Sequence, residues 1–297
     1  MNRFEIHAND PYSRTEQEKE SKLLIQFIDA ETGKEKNQPT IYTFKDLYNR
    51  KGEDLLAYYE QQAHTRGKEQ IQDNFLHNVE HGPIAQLAEK LPLLANQKGR
   101  LGEYISAKVT KTLKQDDQGN SFIDLVMELT NDYVEHLDKD VPRKMTLLVD
   151  VSINGGDRKK GKEYAMQQVF LDPARKANVK CYTDGFSLGI ERPKIMVTQE
   201  EDFMKKVGER LGSHVTSSAS DVFSITHEEQ FNKEYRAYFR DLMQAVAENA
   251  RENIRYMKDK GYEDKYHRGL AKEYEKIASF ADVYEKTPTR ALHTIDA

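Results

Sequence analysis

Between Phe231 and Met257 the apolar residues recur at steps of three or four: Phe231, Tyr235, Tyr238, Leu242, Val246, Ala250, Ile254 and Met257. That spacing is one face of an α-helix. Thr226-His-Glu-Glu229 in front has the capping-box pattern, and Gly261 behind suits a C-terminal stop. The predicted helix has about 30 residues and a length of roughly 45 Å. Tyr262, Tyr266, Leu270, Tyr274, Ile277, Ala281 and Tyr284 define a second helix that ends before Pro288. A helical hairpin is therefore expected over 226–286, followed by a tail at 287–297.

From about residue 101 to 198 the period shortens to two. Tyr104 to Leu113 alternates, Asp116-Asp-Gln-Gly-Asn120 turns, and Phe122 to Leu129 returns. Met145 to Ile153 and Glu163 to Leu171 follow, with Asn154-Gly-Gly156 starting the turn between them. Val179 to Thr183 and Phe186 to Ile190 flank Asp184-Gly185, a dipeptide suited to a two-residue hairpin. Short turns between successive strands predict antiparallel neighbours, because parallel ones need long crossovers. Thr198 to Leu211 reads as a helix with Phe203, Val207 and Leu211 on one face, and Ser213 to Ser220 as a serine-rich loop.

The N-terminal third is mixed. Residues 1–21 are polar and predict a loosely ordered lead-in, with structure beginning near Lys22. Leu23 to Ile28 and Thr40 to Phe44 read as two short strands. Helical spacing is then expected from Lys45 through Tyr59, with Gly52 as a break point, a second helix over 68–81, and a third from Pro83, a residue suited to the first helical position, to Leu91.

The fold class predicted is α+β: an antiparallel meander of five or six strands flanked by an N-terminal helical layer and the long C-terminal αα-hairpin. Residues 22–225 form the body and 226–286 pack on it, since no Pro/Gly/Ser linker separates them.

Composition narrows the function. The chain is 297 residues long, 32% of them charged, with a net charge of −5 and acids and bases interspersed. No basic field for coating nucleic acid is present. Cys181 is the one cysteine, so neither a disulfide framework nor a thiolate zinc cage is available; in a predicted strand it reads as a buried structural thiol. Met1 to Asp10 lacks an apolar leader core, and no apolar run approaches the roughly 20 residues of a membrane span. A soluble, cytoplasmic protein is the expectation, although leaderless export would leave the same sequence.

Three patterns carry candidate chemistry. His77-Asn-Val-Glu-His81 places two imidazoles one helical turn apart, spaced to hold Zn, with Glu80 as base on a metal-bound water. Over those five residues it resembles the inverted-zincin metalloproteases, a resemblance that implies His77 and His81 as metal ligands and Glu80 as the catalytic base of a zinc-dependent hydrolase. Gly82-Pro83 departs from that pattern by ending the helix such a site needs. The plain alternative is a pair of histidines at a helix end, where they complement the dipole.

Gly185-Phe-Ser-Leu-Gly189 resembles the nucleophile elbow of the serine α/β-hydrolases, but Pro193 forbids the helix that must follow. Ser187 reads as an ordinary strand residue. The basic loop Arg158, Lys159, Lys160 and Lys162 lacks P-loop spacing. It reads as a solvated loop tip or, alternatively, as a contact for a phosphate-bearing ligand. The hairpin tyrosines read mainly as packing, with a share left for a partner surface. The function expected is therefore a non-enzymatic protein-binding module, with a protein partner or self-association through the hairpin or a sheet face and no cofactor.

Overall fold

The computed structural model describes residues 11–34, 83–111, 124–134, 140–153, 178–179, 190–191, 193–220 and 222–288. The first helix, α1, spans Pro11–Lys34. Residues 11–21, expected to be loose, and Leu23 to Ile28, expected as a strand, are both helical. Leu24, Ile25, Phe27, Ile28 and Thr32 are buried at the helical step. A short apolar run fits either period, and the Glu/Gln/Lys-rich sequence around it has high helix propensity.

Helix α2 begins at Pro83 as expected and runs Pro83–Lys90; the chain then tightens into a 3₁₀ turn, Leu91–Asn96, across Pro92. Strands β1 (Ile105–Lys111), β2 (Leu125–Asn131) and β3 (Lys144–Ile153) form the expected antiparallel run. Two short strands, β4 (Asn178–Val179) and β5 (Ile190–Glu191), pair separately. The Asp184-Gly185 turn expected between them lies outside the described residues.

Strand β6 (Lys194–Gln199) joins β3 in parallel and completes a four-stranded sheet of order β1-β2-β3-β6. This corrects the expected meander of five or six antiparallel strands. Some forty residues separate the two strands, ample for the crossover that parallel neighbours need. The fold remains mixed α+β.

Helix α3 is Glu201–Gly212, with Met204, Val207 and Leu211 buried. The serine-rich segment is no simple loop: Val215–Ser217 (β7) pairs with Phe223–Ile225 (β8). Helices α4 (Glu228–Asp259) and α5 (Lys265–Lys286) are the expected hairpin. The expected capping box is absent. His227 occupies the cap position without a side-chain bond, and the Thr226 hydroxyl donates instead to the His214 carbonyl (3.1 Å). Between the helices Gly261 sits at φ +68°, with Gly261 N donating to Lys258 O and Tyr262 N to Met257 O. That is a Schellman closure, which favours glycine.

One face of the sheet carries Val109, Leu125, Met127, Leu129, Leu147, Val149, Val151, Ile195 and Val197, which join apolar residues of the five described α-helices in a single core. α1 crosses α3 at close range, where Gly208 and Gly212 face Ser21 and Glu20. Arg100, at the end of the turn before β1, is buried against the Phe231 ring and donates to Asn232 and Gln97, tying this layer to α4.

Candidate functional site

The opposite face of the sheet holds an unusual pair. Alternation along β3 puts Leu148 and Asp150 on this side, and the parallel register puts Lys194 beside them. Asp150 is 0% exposed and Lys194 1%, with Lys194 Nζ at 3.2 Å from Asp150 Oδ2. Val126 and Leu148 are buried alongside. Taking two charges out of water costs several kcal/mol, roughly recovered only when geometry and hydrogen bonds are good. A buried pair of this kind is therefore weak evidence for net stability.

Next to it, Asp124 lies just before β2. Its main-chain N donates to Val149 O (3.0 Å), and its Oδ2 accepts from Val151 N (2.6 Å). The carboxylate thus continues the β2–β3 ladder one step beyond the last paired residue of β2. This use of side chains as ladder partners recurs at both sheet edges. Asn96 both donates to Val109 O (2.9 Å) and accepts from Val109 N (2.6 Å) on β1. On β6, Asn249 Oδ1 accepts from Met196 N (2.9 Å) and from Asn253 Nδ2 (3.2 Å), while the Tyr274 hydroxyl donates to Lys194 O (3.0 Å).

The hairpin turn is a third locus. Asp264 caps α5 by accepting from His267 N (3.0 Å), and its other oxygen lies 2.7 Å from His267 Nδ1. These bonds, the main-chain one first, hold the Asp264 carboxyl below its ordinary range. The His267 ring stacks on Tyr262 (centroids 4.6 Å, 24°) and meets Tyr266 edge-on (5.1 Å, 79°). Lys260 lies 5.7 Å over the Tyr256 ring. Tyr256, Tyr262 and Tyr266 are half-buried, as are Ile254 and Leu270. Further along, Tyr235, Tyr238, Tyr274 and Tyr284 are in the core, and burial raises the pKa of each phenol.

His77, Glu80 and His81, the basic residues Arg158, Lys159, Lys160 and Lys162, the Gly185–Gly189 pattern and Cys181 all lie outside the described residues. Among the described residues no three or more of His, Cys, Asp and Glu are grouped to hold a metal ion. No described helix is long and apolar enough to cross a membrane. Glu201 and Asp202 stand in the first turn of α3, with Lys205 bridging them at 2.6 and 3.6 Å.

Sequence reasoning passed over Asp124, Asp150, Lys194, Asn96 and Asn249. The one signal for the ion pair was a lone charge in Leu147-Leu-Val-Asp-Val151, at a position two residues from buried Leu148. The asparagines carried none, since a ladder-completing amide is defined by a strand distant in sequence. No family model, curated protein or solved structure matches the chain.

Proposed function

We propose that the chain is a non-enzymatic binding protein whose contact surface is the turn of the C-terminal helical hairpin. The observation that supports this reading is the pair of half-buried rings Tyr262 and Tyr266 set against His267, with half-buried Tyr256 beneath Lys260 at the end of α4. Tyrosine is favoured where one side of a contact is apolar and the other wet.

The remainder of the hairpin's apolar stripe is consumed in the core, so the surface is smaller than the whole hairpin. Among the described residues Val222 is the exposed large hydrophobic, which argues for a polar, water-rich contact over a broad greasy one. We further take the protein to be cytoplasmic, in keeping with its single cysteine.

A photo-crosslinking residue in place of Tyr262, compared in cells with one in place of exposed Lys272, tests the reading. A discrete adduct from position 262, reduced by Tyr266→Ala, is expected. An adduct of twice 34.4 kDa would identify a second copy of the chain as the partner. Equal labelling from both positions, or none from 262, overturns the proposal.

A further inference from the structure

We propose that Asn96 acts as a one-residue substitute strand, a built-in guard that keeps the β1 edge of the sheet from pairing with the same edge of a second copy. β1 is the outer strand of the four-stranded sheet, paired only with β2 among the described residues. Unpaired N–H and C=O groups along such an edge are a template for another chain.

Val109 lies opposite Met127, and both its main-chain groups engage the Asn96 amide at 2.6 and 2.9 Å. Val109 therefore turns its polar groups away from β2, in the direction an added strand would occupy. A carboxamide has one donor and one acceptor side, the same complement that a residue of a neighbouring strand presents. The 3₁₀ turn Leu91–Asn96 anchors the amide there, with Leu91, Leu93, Leu94 and Ala95 buried in the core. Position 96 is thereby fixed by packing, and its side chain has little entropy left to lose in making both bonds.

The other edge is treated in the same way. Asn249, held by Asn253, covers Met196 N, and Tyr274 covers Lys194 O. Two edges closed by side-chain amides from different parts of the chain form a consistent pattern of protection against strand addition. This inference stands apart from the hairpin-turn reading, since it concerns the edge remote from α4 and α5 in the strand order.

The test is the full-length Asn96→Ala variant, followed by light scattering over a concentration series. The variant is expected to move from the wild-type mass to at least double it, with exchange of the Val109 amide slowed in the associated form. A second variant, Asn96→Asp, retains the acceptor for Val109 N, removes the donor for Val109 O, and should associate as well. Ala107→Pro added to either one removes an edge N–H that points the same way as that of Val109, without touching the β1–β2 ladder. It should restore the wild-type mass, which no repair of general misfolding would do. Wild-type mass for both single variants, or association that persists with Ala107→Pro, overturns the proposal; should Asn96→Ala not fold, the Asn96→Asp pair decides it.

Discussion

Tyr274 donates its hydroxyl to the main-chain carbonyl of Lys194 at 3.0 Å, and neither residue is more than 1% exposed. A phenol from the last helix thus meets the outward edge of β6 at the residue whose ammonium pairs with Asp150. Hairpin position and sheet edge are linked by that bond. Tyr274→Phe keeps the ring and removes the donor. Leaving a buried polar group short of a partner costs about 1–3 kcal/mol. Urea unfolding should show a lower midpoint with an unchanged slope, and a midpoint equal to wild type would refute the link.

Alkaline stability follows from the same phenols. Tyr235, Tyr238, Tyr274 and Tyr284 are all raised above the ordinary tyrosine range, chiefly by burial. In the unfolded chain they ionise near pH 10. Above that pH the unfolded state has fewer bound protons than the fold, so stability is full below about pH 10 and falls as pH rises beyond it. Absorbance at 295 nm should report these four rings only as circular dichroism is lost. A titration that ionises all sixteen tyrosines with the fold intact would remove the argument.

The crossing of α1 and α3 predicts a difference between two glycines one turn apart. A Cβ at Gly212 would lie 2.6 Å from the main-chain oxygen of Glu20, which has no rotamer to escape into. Gly212→Ala should therefore destabilise by about 1–3 kcal/mol through overpacking. At Gly208 the nearest atoms are side-chain ones, Ser21 Oγ first and then Leu87 Cδ2 at 2.9 Å. In a Ser21→Ala background the main clash is gone, and the gain of about 0.5–1 kcal/mol for Gly→Ala in a helix offsets what remains. Thermal melts of both variants would check the ranking; equal losses would contradict it.

The parts of the fold legible in the sequence are those that local chemistry determines. Pro83 starts α2, Gly261 closes α4 in a left-handed turn, and the three-to-four spacing of Phe231 to Met257 matches a 32-residue helix. What escaped depends on distant partners. β6 follows Pro193 and opens with a lysine, so its strand character comes from β3, about forty residues earlier in the chain. Thr226 and Glu229 had capping letters, yet the threonine hydroxyl went to His214 on the neighbouring β7 end. Asp150 and Lys194 are unremarkable as letters, and burial gives them meaning. The period put Tyr262, Tyr266, Tyr274 and Tyr284 on one face without separating them; Tyr274 and Tyr284 are in the core with Tyr235 and Tyr238, while Tyr256, Tyr262 and Tyr266, at and near the turn, are half-buried.

The Asp150–Lys194 pair allows its structural contribution to be separated from any other role. Lys194→Met removes the ammonium and leaves a carboxylate at 0% exposure beside Leu148 and Val126. Breaking a buried pair from one side costs about 3–5 kcal/mol. Replacing both, as Asp150→Leu with Lys194→Met, substitutes apolar groups of similar volume and should be neutral or stabilising by about 1–4 kcal/mol. A double-mutant cycle by chemical denaturation measures the coupling directly. Should the double variant be as unstable as the single one, the pair belongs to a larger polar network on that face. Should it be more stable and yet lose the Tyr262 crosslink, stability has been given up for function.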